Sequence, residues 1–295
     1  MIDTQEAISK LQQTVEQISN LPTPPVVFNQ INKVINDPNT SAYDIAAILS
    51  EDPAMSVKVL KLSNSAFYGL KREITSIKQA IVIMGIEAVR SLVLSTAVFD
   101  MFKGNDSDPE FQDDFWRHSL ATGTCARLLI RQMSGKWITE AELAFSAGLL
   151  HDIGKLVQFS YLPDDFKAAK EVMDADDIPW YKAEEAALGY THSHLGALLG
   201  HKWKLPSALK DAIENHHTPK LANTEGIHAS LVHIANYISH MTFDDELLIT
   251  RNEQILDREV LVKVGLDSID LPQFRDKLMD EYAKAETFMK MARGA

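Results

Sequence analysis

The chain has 295 residues, of which 45% are hydrophobic and 24% are charged, a composition typical of a folded globular protein. Its 41 acidic and 29 basic residues give a formal net charge of −12, and no cluster of Lys and Arg interrupts this acidic balance. Because such a surface repels phosphate groups, we expect neither nucleic acid nor a membrane surface as a partner. The single cysteine, Cys125, excludes an internal disulfide and a cysteine-based zinc site.

The N-terminal segment has no basic start followed by an apolar core, so it does not resemble a secretory signal peptide. No stretch reaches the roughly 18 apolar residues that a membrane-spanning helix needs. The lone cysteine is typical of a reducing compartment. These features together predict a cytoplasmic protein.

Apolar residues recur at three- and four-residue steps along almost the whole chain, and no convincing strand alternation is present, which predicts an all-α protein. Helix starts are marked by capping signals in two places. Ser41 followed by Asp44 resembles a capping box, and Asp52 precedes Pro53 in the way that an N-cap precedes proline at the first helical position.

A polar, acidic segment at residues 103–109 is the best candidate for a linker. We therefore predict a helical N-terminal subdomain at 1–105, packed with a second helical bundle at 106–242, and a C-terminal helical tail at 243–295. The tail could pack on the domain or mediate association, and the oligomeric state stays open. Predicted helices after the linker run over about 113–132, from 139 to the doublet described next, and over 163–174, 179–188, 191–203, 206–217, 226–241 and 272–291.

The central motif is the doublet of His151 and Asp152, which ends an apolar run and is followed by Gly154 and Lys155. A neutral imidazole and a carboxylate side by side at a helix end can bind one divalent cation together. The dipeptide alone is a weak signal, because it arises often by chance. It gains weight from other residues at helical positions that could complete a metal site, namely His118, His192, His216, His217 and Asn236.

Helical periodicity predicts which of these side chains face inward. His118 lies on an apolar stripe with Phe115, and His192 lies on another, where Gly196 one turn later removes a side chain and allows close approach. A lone inward histidine is more simply a core residue bonded to a carbonyl, but several inward histidines favour a metal. His216 continues an apolar stripe and His217 lies at its edge.

The remaining candidates have weaker support. The His216–His217 pair could bind metal or simply cap a helix end. Asn236 lies opposite the main apolar stripe of its helix, so periodicity predicts that it is exposed or on a second face. His194 and His201 are predicted to be exposed, and three further histidines are interpreted as surface or structural residues, namely His228, His233 and His240.

Ordered motifs over roughly residues 15–242 resemble the HDOD domain family, helical bacterial signalling modules related to the HD phosphohydrolases. In the first half the motifs are Leu21-Pro22-x-x-Pro25, Asp52-Pro53-Ala54, Leu62-Ser63-Asn64-Ser65-Ala66 and Ile74-x-Ser76-Ile77-x-x-Ala80-Ile81 with Gly85. In the second half they are Gly189-x-x-His192-x-x-x-Gly196, Trp203-x-Leu205-Pro206 and His216-His217-x-Pro219. Each motif is weak alone, and the ordered set is specific. The resemblance implies that the helical bundle at 106–242 is HD-like.

The resemblance implies a metal site, because the wider HD superfamily binds metals through a His, the doublet, later histidines and a final Asp. Carried over by position, the metal ligands would be His118, His151, Asp152, His192, His216, His217 and, in place of the final Asp, Asn236. Asp152 and Lys155 would be the catalytic residues, Lys155 matching the lysine that follows the doublet in the HD-GYP branch. Such a donor set suits one or two divalent transition-metal ions, and iron, manganese, nickel and zinc all fit.

Two departures from the family pattern weigh against catalysis. Asn236 offers a neutral carbonyl where a carboxylate is expected, which weakens the binding of a hard cation. The residues after His217 lack the Glu and the Gly-Tyr-Pro motif of the HD-GYP phosphodiesterases, so hydrolysis of cyclic di-GMP is not supported.

Two functions therefore compete. The first is a signalling module without catalysis, which passes a regulatory input to protein partners and retains a nearly complete metal site. The helices that precede the doublet favour this first function, because an HD hydrolase does not need them. The second is a metal-dependent phosphohydrolase acting on a phosphoester or nucleotide, with Lys155 stabilising charge on phosphate oxygens. The retained ligands favour it.

Overall fold

The computed structural model describes residues 4–18, 21–35, 37, 39–102, 108–133, 140–220, 227–243, 256 and 258–293. Every regular element within these ranges is a helix, which confirms the predicted all-α class. In chain order the helices are α1 (Thr4–Gln17), α2 (Val26–Val34), α3 (Ala42–Ser50), α4 (Pro53–Ser63), α5 (Ile77–Met84), α6 (Ile86–Met101), α7 (Pro109–Gln132), α8 (Ala141–Leu150), α9 (Ile153–Tyr161), α10 (Pro163–Asp176), α11 (Trp180–Leu188), α12 (His192–Lys202), α13 (Ser207–Asn215), α14 (His228–Phe243), α15 (Arg258–Val264) and α16 (Leu271–Arg293).

The chain forms two compact units. The larger unit comprises residues 1–21 and 105–275, and the smaller unit comprises residues 22–104 and 276–295. The predicted division at 1–105, 106–242 and 243–295 stays a prediction, since compact units do not by themselves test domain boundaries. Most of the predicted linker, residues 103–107, lies outside the described residues.

The capping signals act as the sequence predicts. The Ser41 hydroxyl accepts a hydrogen bond from the backbone N–H of Asp44, and the Asp44 carboxylate accepts one from the backbone N–H of Ser41 at 2.8 Å. Asp52 caps α4 by accepting from the N–H of Met55 at 2.9 Å, with Pro53 as the first helical residue. Each cap satisfies backbone donors that the first helical turn leaves without partners.

One helix start and one short helix differ from the prediction. The helix expected from about 113 begins at Pro109, because Asp108 caps it by accepting from the N–H of Phe111 at 3.1 Å. The start expected at residue 139 lies outside the described residues. The short helix α9 was not predicted at all, since glycine at its second position lowers helix propensity and its apolar run is short.

Helix α6 forms the centre of the smaller unit, where residues 88–99 are all buried. Among the described residues no single helix has both the length and the apolar character to cross a membrane. The pair α5 and α6 meets that test by length and composition only when taken together, and it is bent by 120°.

In the larger unit α7 packs against α8 and α14, while α12 packs against α9 and α13. The contact between α7 and α8 depends on two facing glycines. A Cβ atom placed on Gly148 would lie 2.7 Å from the Cα of Gly123, closer than any side chain allows. Because both positions lack a side chain, these helices approach closely and bring together His118 and His151, one from each helix.

Candidate metal centre

The His-Asp doublet occupies the junction between two helices. His151 is the last residue associated with α8, and Asp152 is the N-cap of α9, so both side chains leave the chain within one turn. His118 comes from the middle of α7, His192 begins α12 and His216 follows α13. All five of these side chains are buried. Five separate helix segments therefore converge on one interior point.

The Asp152 carboxylate lies between two sets of histidines. Its Oδ2 is 3.3 Å from Nε2 of His151 and 3.8 Å from Nε2 of His118. Its Oδ1 is 3.1 Å from Nε2 of His192 and 3.4 Å from Nε2 of His216. Each oxygen thus faces its own set, and Asp152 is positioned to bridge two cations.

Two ligand groups follow from this geometry. The three-ligand group consists of His118, His151 and Asp152, and the four-ligand group consists of Asp152, His192, His216 and His217. Within each group the ligand atoms lie within 4.8 Å of one another. His118 and His151 are 3.3 Å apart between Nε2 atoms, and His192 is 3.3 Å from His216 and 3.0 Å from His217 between the same atoms.

The outer nitrogens of three rings are held by acceptors. Nδ1 of His151 donates to the carbonyl of Gly148 at 2.7 Å, and Nδ1 of His216 donates to the carbonyl of Ile213 at 2.8 Å. Nδ1 of His192 lies 2.6 Å from the carboxylate of Glu184. Because a carbonyl can only accept, Nδ1 carries the proton and the Nε2 lone pair is directed into the cluster. This orientation is the one a metal ligand requires.

A glycine makes room for the His192 side of the cluster. A Cβ atom on Gly154 would lie 1.9 Å from the carbonyl oxygen of His192, so α9 can cross the start of α12 only without a side chain there. Gly196 serves the same contact region, since its Cβ would lie 2.6 Å from the Cγ2 of Ile213. The predicted close approach at Gly196 is confirmed.

Burial and charge set the protonation of the cluster. Burial lowers the pKa of His118 and of His216 to about 3 each, and it also lowers the pKa of His217. Burial acts downward on the pKa of His192 too, but the charge of Glu184 and hydrogen bonding to Asp152 raise that pKa to about 9. Without a metal, His192 therefore retains an extra proton in the neutral pH range.

Burial also opposes ionisation of Asp152, but the surrounding imidazoles and Lys155 hold its pKa well below the usual range. Lys155 is buried, and its Nζ lies 2.9 Å from Asp152 Oδ2. The bridging carboxylate is therefore ionised, as a metal ligand must be.

The structure decides between the two alternatives for Asn236 in favour of a second face. This side chain is fully buried, as is Val232, and its amide acts to raise the pKa of His118, which places it beside the three-ligand group. The second face exists because α14 packs against α7, α8 and α13.

Other histidine predictions had mixed outcomes. His201 is exposed, as predicted, whereas His194 is only partly exposed. The backbone N–H of Thr191 donates to Nδ1 of His194 at 3.1 Å. His228 and His233 are buried, in agreement with the structural interpretation of the two. His233 supports the cluster directly, since its Nδ1 lies 2.8 Å from the carbonyl of His216.

Residue patterns did not identify three side chains that contact the cluster. Glu184 contacts His192, the ring of His240 stacks on His118 at 4.3 Å, and the ring of Tyr181 stacks on the partly exposed His217 at 4.4 Å. A signal existed for Glu184, because it follows the inward Trp180 by four residues and is therefore a charge on a buried stripe.

The donor set fits a divalent transition metal. Neutral Nε2 atoms and a carboxylate oxygen face one another at 3.0–3.4 Å, an arrangement that is repulsive unless a proton or a cation lies between them. Imidazole nitrogens with one carboxylate suit iron, manganese, nickel or zinc. Four ligands match a closed coordination shell, whereas three leave a position open.

Comparison with known proteins supports the class that the fold and the cluster define, a helical protein built around a His-Asp doublet. The family model for the HDOD domain matches residues 21–219. The chain therefore belongs to the HDOD domain family, and the predicted resemblance is confirmed.

Relatives agree in sequence and fold. An uncharacterised protein of Treponema pallidum (strain Nichols) is 26% identical over 217 residues, which is 73% of this chain and 41% of that relative, so the chain matches well under half of the relative's length. An HDOD domain protein of unknown function from Geobacter sulfurreducens has a similar structure (TM-score 0.77, 22% identity, 97% of this chain and 99% of the other). A candidate phosphohydrolase from Shewanella amazonensis SB2B is also similar (TM-score 0.70, 24% identity, 95% and 97%). At these identities the structural likeness concerns the fold.

Proposed function

We propose that this chain is a bacterial, cytoplasmic HDOD signalling module that holds divalent transition metal in its larger unit and acts through protein partners rather than through turnover. The observation that carries the metal proposal is the Asp152 carboxylate, whose two oxygens face two separate groups of buried histidines. Family membership supports the signalling role.

Three features favour binding over catalysis. The ligands other than His217 are buried, which restricts access for a substrate. Asn236 contributes a neutral amide beside the three-ligand group, where a carboxylate would hold a cation more strongly. The motif that follows the histidine pair in the HD-GYP phosphodiesterases is missing from the sequence.

The two groups differ in how firmly they would hold an ion. The four-ligand group supplies a complete shell, with Glu184 and a carbonyl orienting two of its rings. The three-ligand group supplies two imidazoles and a shared carboxylate. We therefore propose one tightly held ion in the four-ligand group and a second, weaker ion in the three-ligand group.

Metal content measured by elemental mass spectrometry tests this proposal. We expect at least one transition-metal ion per chain in the unaltered protein and close to none after Asp152→Asn, because that substitution removes the charge that both groups share. His201→Asn is the matched control, since His201 is exposed and lies outside both groups. A metal-free protein that binds no added zinc, cobalt, manganese, iron or nickel would contradict the proposal.

A metal-dependent phosphohydrolase is the second candidate, and Lys155 favours it. Its ammonium is buried 2.9 Å from the bridging carboxylate, where it could stabilise charge on a phosphate oxygen. Bound metal would supply Lewis acidity. Metal-loaded protein should then hydrolyse bis(p-nitrophenyl) phosphate, and Lys155→Met should abolish that activity while metal content is retained. No hydrolysis above a metal-only blank would leave the signalling proposal in place.

A further inference from the structure

Glu184 is a fully buried carboxylate that no sequence motif identified. It lies on α11, on the same side as Trp180 and Ala183, which are themselves fully buried. These two residues belong to an apolar cluster with Ala169 and Met173 of α10. The pair α10 and α11 thus forms a packed support that fixes the position of this carboxylate.

One oxygen of Glu184 receives two hydrogen bonds from the same residue. Its Oε2 accepts from the backbone N–H of His192 at 3.0 Å and lies 2.6 Å from Nδ1 of the His192 ring. The first contact fixes where α12 begins, and the second fixes the rotation of the ring. Together they direct His192 Nε2 toward Asp152 Oδ1, 3.1 Å away.

The charge of Glu184 has a narrow set of partners. Across the part of the chain that the structure describes, His192 is the ion-pair partner found for it, and its second oxygen, Oε1, is buried without a hydrogen bond. A buried carboxylate with so little compensation costs folding free energy. Packing alone does not need that charge, because a glutamine of the same shape would fill the space and still accept from the backbone N–H.

We propose that Glu184 is a positioning residue of the four-ligand group, which holds the His192 ring in register and raises its strength as a metal donor. This inference rests on the metal centre proposed above. A carboxylate bonded to the outer nitrogen of a ligating histidine fixes the tautomer and increases the basicity of the nitrogen that binds the metal.

The test compares Glu184→Gln with Glu185→Gln. Glu185 is the next residue in α11, but it is exposed and pairs with Lys182 at 2.7 Å, so its loss removes one carboxylate without touching the cluster. Three quantities are measured for both variants and the unaltered protein: the Kd for zinc by chelator competition, the visible absorption spectrum of the cobalt-loaded protein, and the melting temperature of the metal-free protein.

We expect Glu184→Gln to weaken zinc binding by about 10- to 100-fold and to change the cobalt spectrum, while Glu185→Gln changes neither. The melting temperature of metal-free Glu184→Gln should be lower, because the variant breaks the buried pair with His192. Glu184→Asp should fail to restore affinity, because its carboxylate is one methylene short of His192.

The possible failures can be told apart. Unchanged zinc affinity and an unchanged cobalt spectrum in Glu184→Gln, while the unaltered protein binds metal, would overturn the role of Glu184 and leave the metal centre standing. A loss of melting temperature alone would mean that Glu184 is merely structural. An unaltered protein that binds neither zinc nor cobalt would overturn both proposals.

Discussion

The three-ligand and four-ligand groups share the Asp152 carboxylate, but they are supported in different ways. His118 and His151 meet because two glycines let α7 and α8 approach closely. The four-ligand group instead depends on the start of α12, where Gly154 makes room for the backbone and Glu184 orients the ring of His192. The three-ligand group is assembled by helix packing, and the four-ligand group also has the Glu184 carboxylate bonded to the outer nitrogen of one of its rings.

This difference shows why ligand count alone is a poor guide to metal affinity. An imidazole whose outer nitrogen is held loses little freedom when it binds an ion, and its inner nitrogen is a stronger donor. Both groups contain such a ring, since Nδ1 of His151 donates to the carbonyl of Gly148, but the outer nitrogen of His192 is held by a charged carboxylate and its group has an extra histidine. The three-ligand group has the neutral Asn236 beside it, so its ion should be the first to dissociate.

Single ligand deletions should separate the groups most strongly. His192→Ala should remove the tighter ion, with a loss of zinc affinity of at least about 100-fold, because it deletes a ligand whose outer-shell contact alone is worth up to that factor. His118→Ala should leave the tighter ion in place. Zinc titration of both variants checks this, and equal losses would show that the two groups bind as one unit.

Substitution of Gly154, which packs against the start of α12, should have the next largest effect on zinc affinity. Gly154→Ala places a Cβ where the carbonyl of His192 lies, so the backbone must shift; we expect a stability loss of roughly 1–3 kcal/mol and weaker zinc binding. Gly200→Ala, in α12, is the control, since the nearest atom to its Cβ would be in the flexible side chain of Lys210, at 3.0 Å. Chemical denaturation measures the stability, and a Gly154→Ala protein as stable as the control would contradict the close contact.

A stronger three-ligand group should reduce the difference in metal affinity between the two groups. Asn236→Asp adds a carboxylate beside His118, and we expect the second ion to bind about tenfold more tightly, equivalent to about 1.4 kcal/mol. Metal stoichiometry at limiting free zinc measures the change. Asn236→Leu is the matched control for loss of the amide. Tighter binding in the leucine variant would mean that the amide does not assist the cation.

Acidity should affect the metal affinity of the two groups unequally. The pKa of His192 is raised to about 9, so a proton competes with metal in the four-ligand group below that pH, and apparent affinity should rise by up to about tenfold per pH unit from 6.5 to 9. The pKa of His118 is lowered to about 3, so it is already neutral in this range. Zinc titrations of the unaltered protein at several pH values measure the slope.

The same proton gives a stability check on the metal-free protein. Because the folded pKa of His192 lies above the unfolded value, its contribution is fully present below about pH 6.5 and is lost as the pH approaches 9. His192→Gln should remove that decline. A variant that retains the full decline would assign the proton to another group.

Much of the fold was predictable because helical periodicity and capping are local properties of the sequence. Ser41 and Asp52 marked helix starts correctly, and the doublet with its partner histidines was found from residue type and order. The position of Asn236 could not be decided from periodicity, because α14 packs against other helices on several sides and its polar residue lies on a second buried face. The role of Glu184 was missed because, although its place on a buried stripe was a local signal, its contact with His192 depends on how the chain turns between α11 and α12.

The partial exposure of His217 would set the kinetics of metal exchange if the four-ligand group holds an ion as proposed. An ion in the four-ligand group would be reached by solvent or a chelator on the His217 side, since the other ligands are buried. The Tyr181 ring covers the His217 ring at 4.4 Å with the planes 13° apart, so it lies across that side. The rate at which the ion leaves would then depend on the motion of one aromatic ring, even where the equilibrium affinity does not.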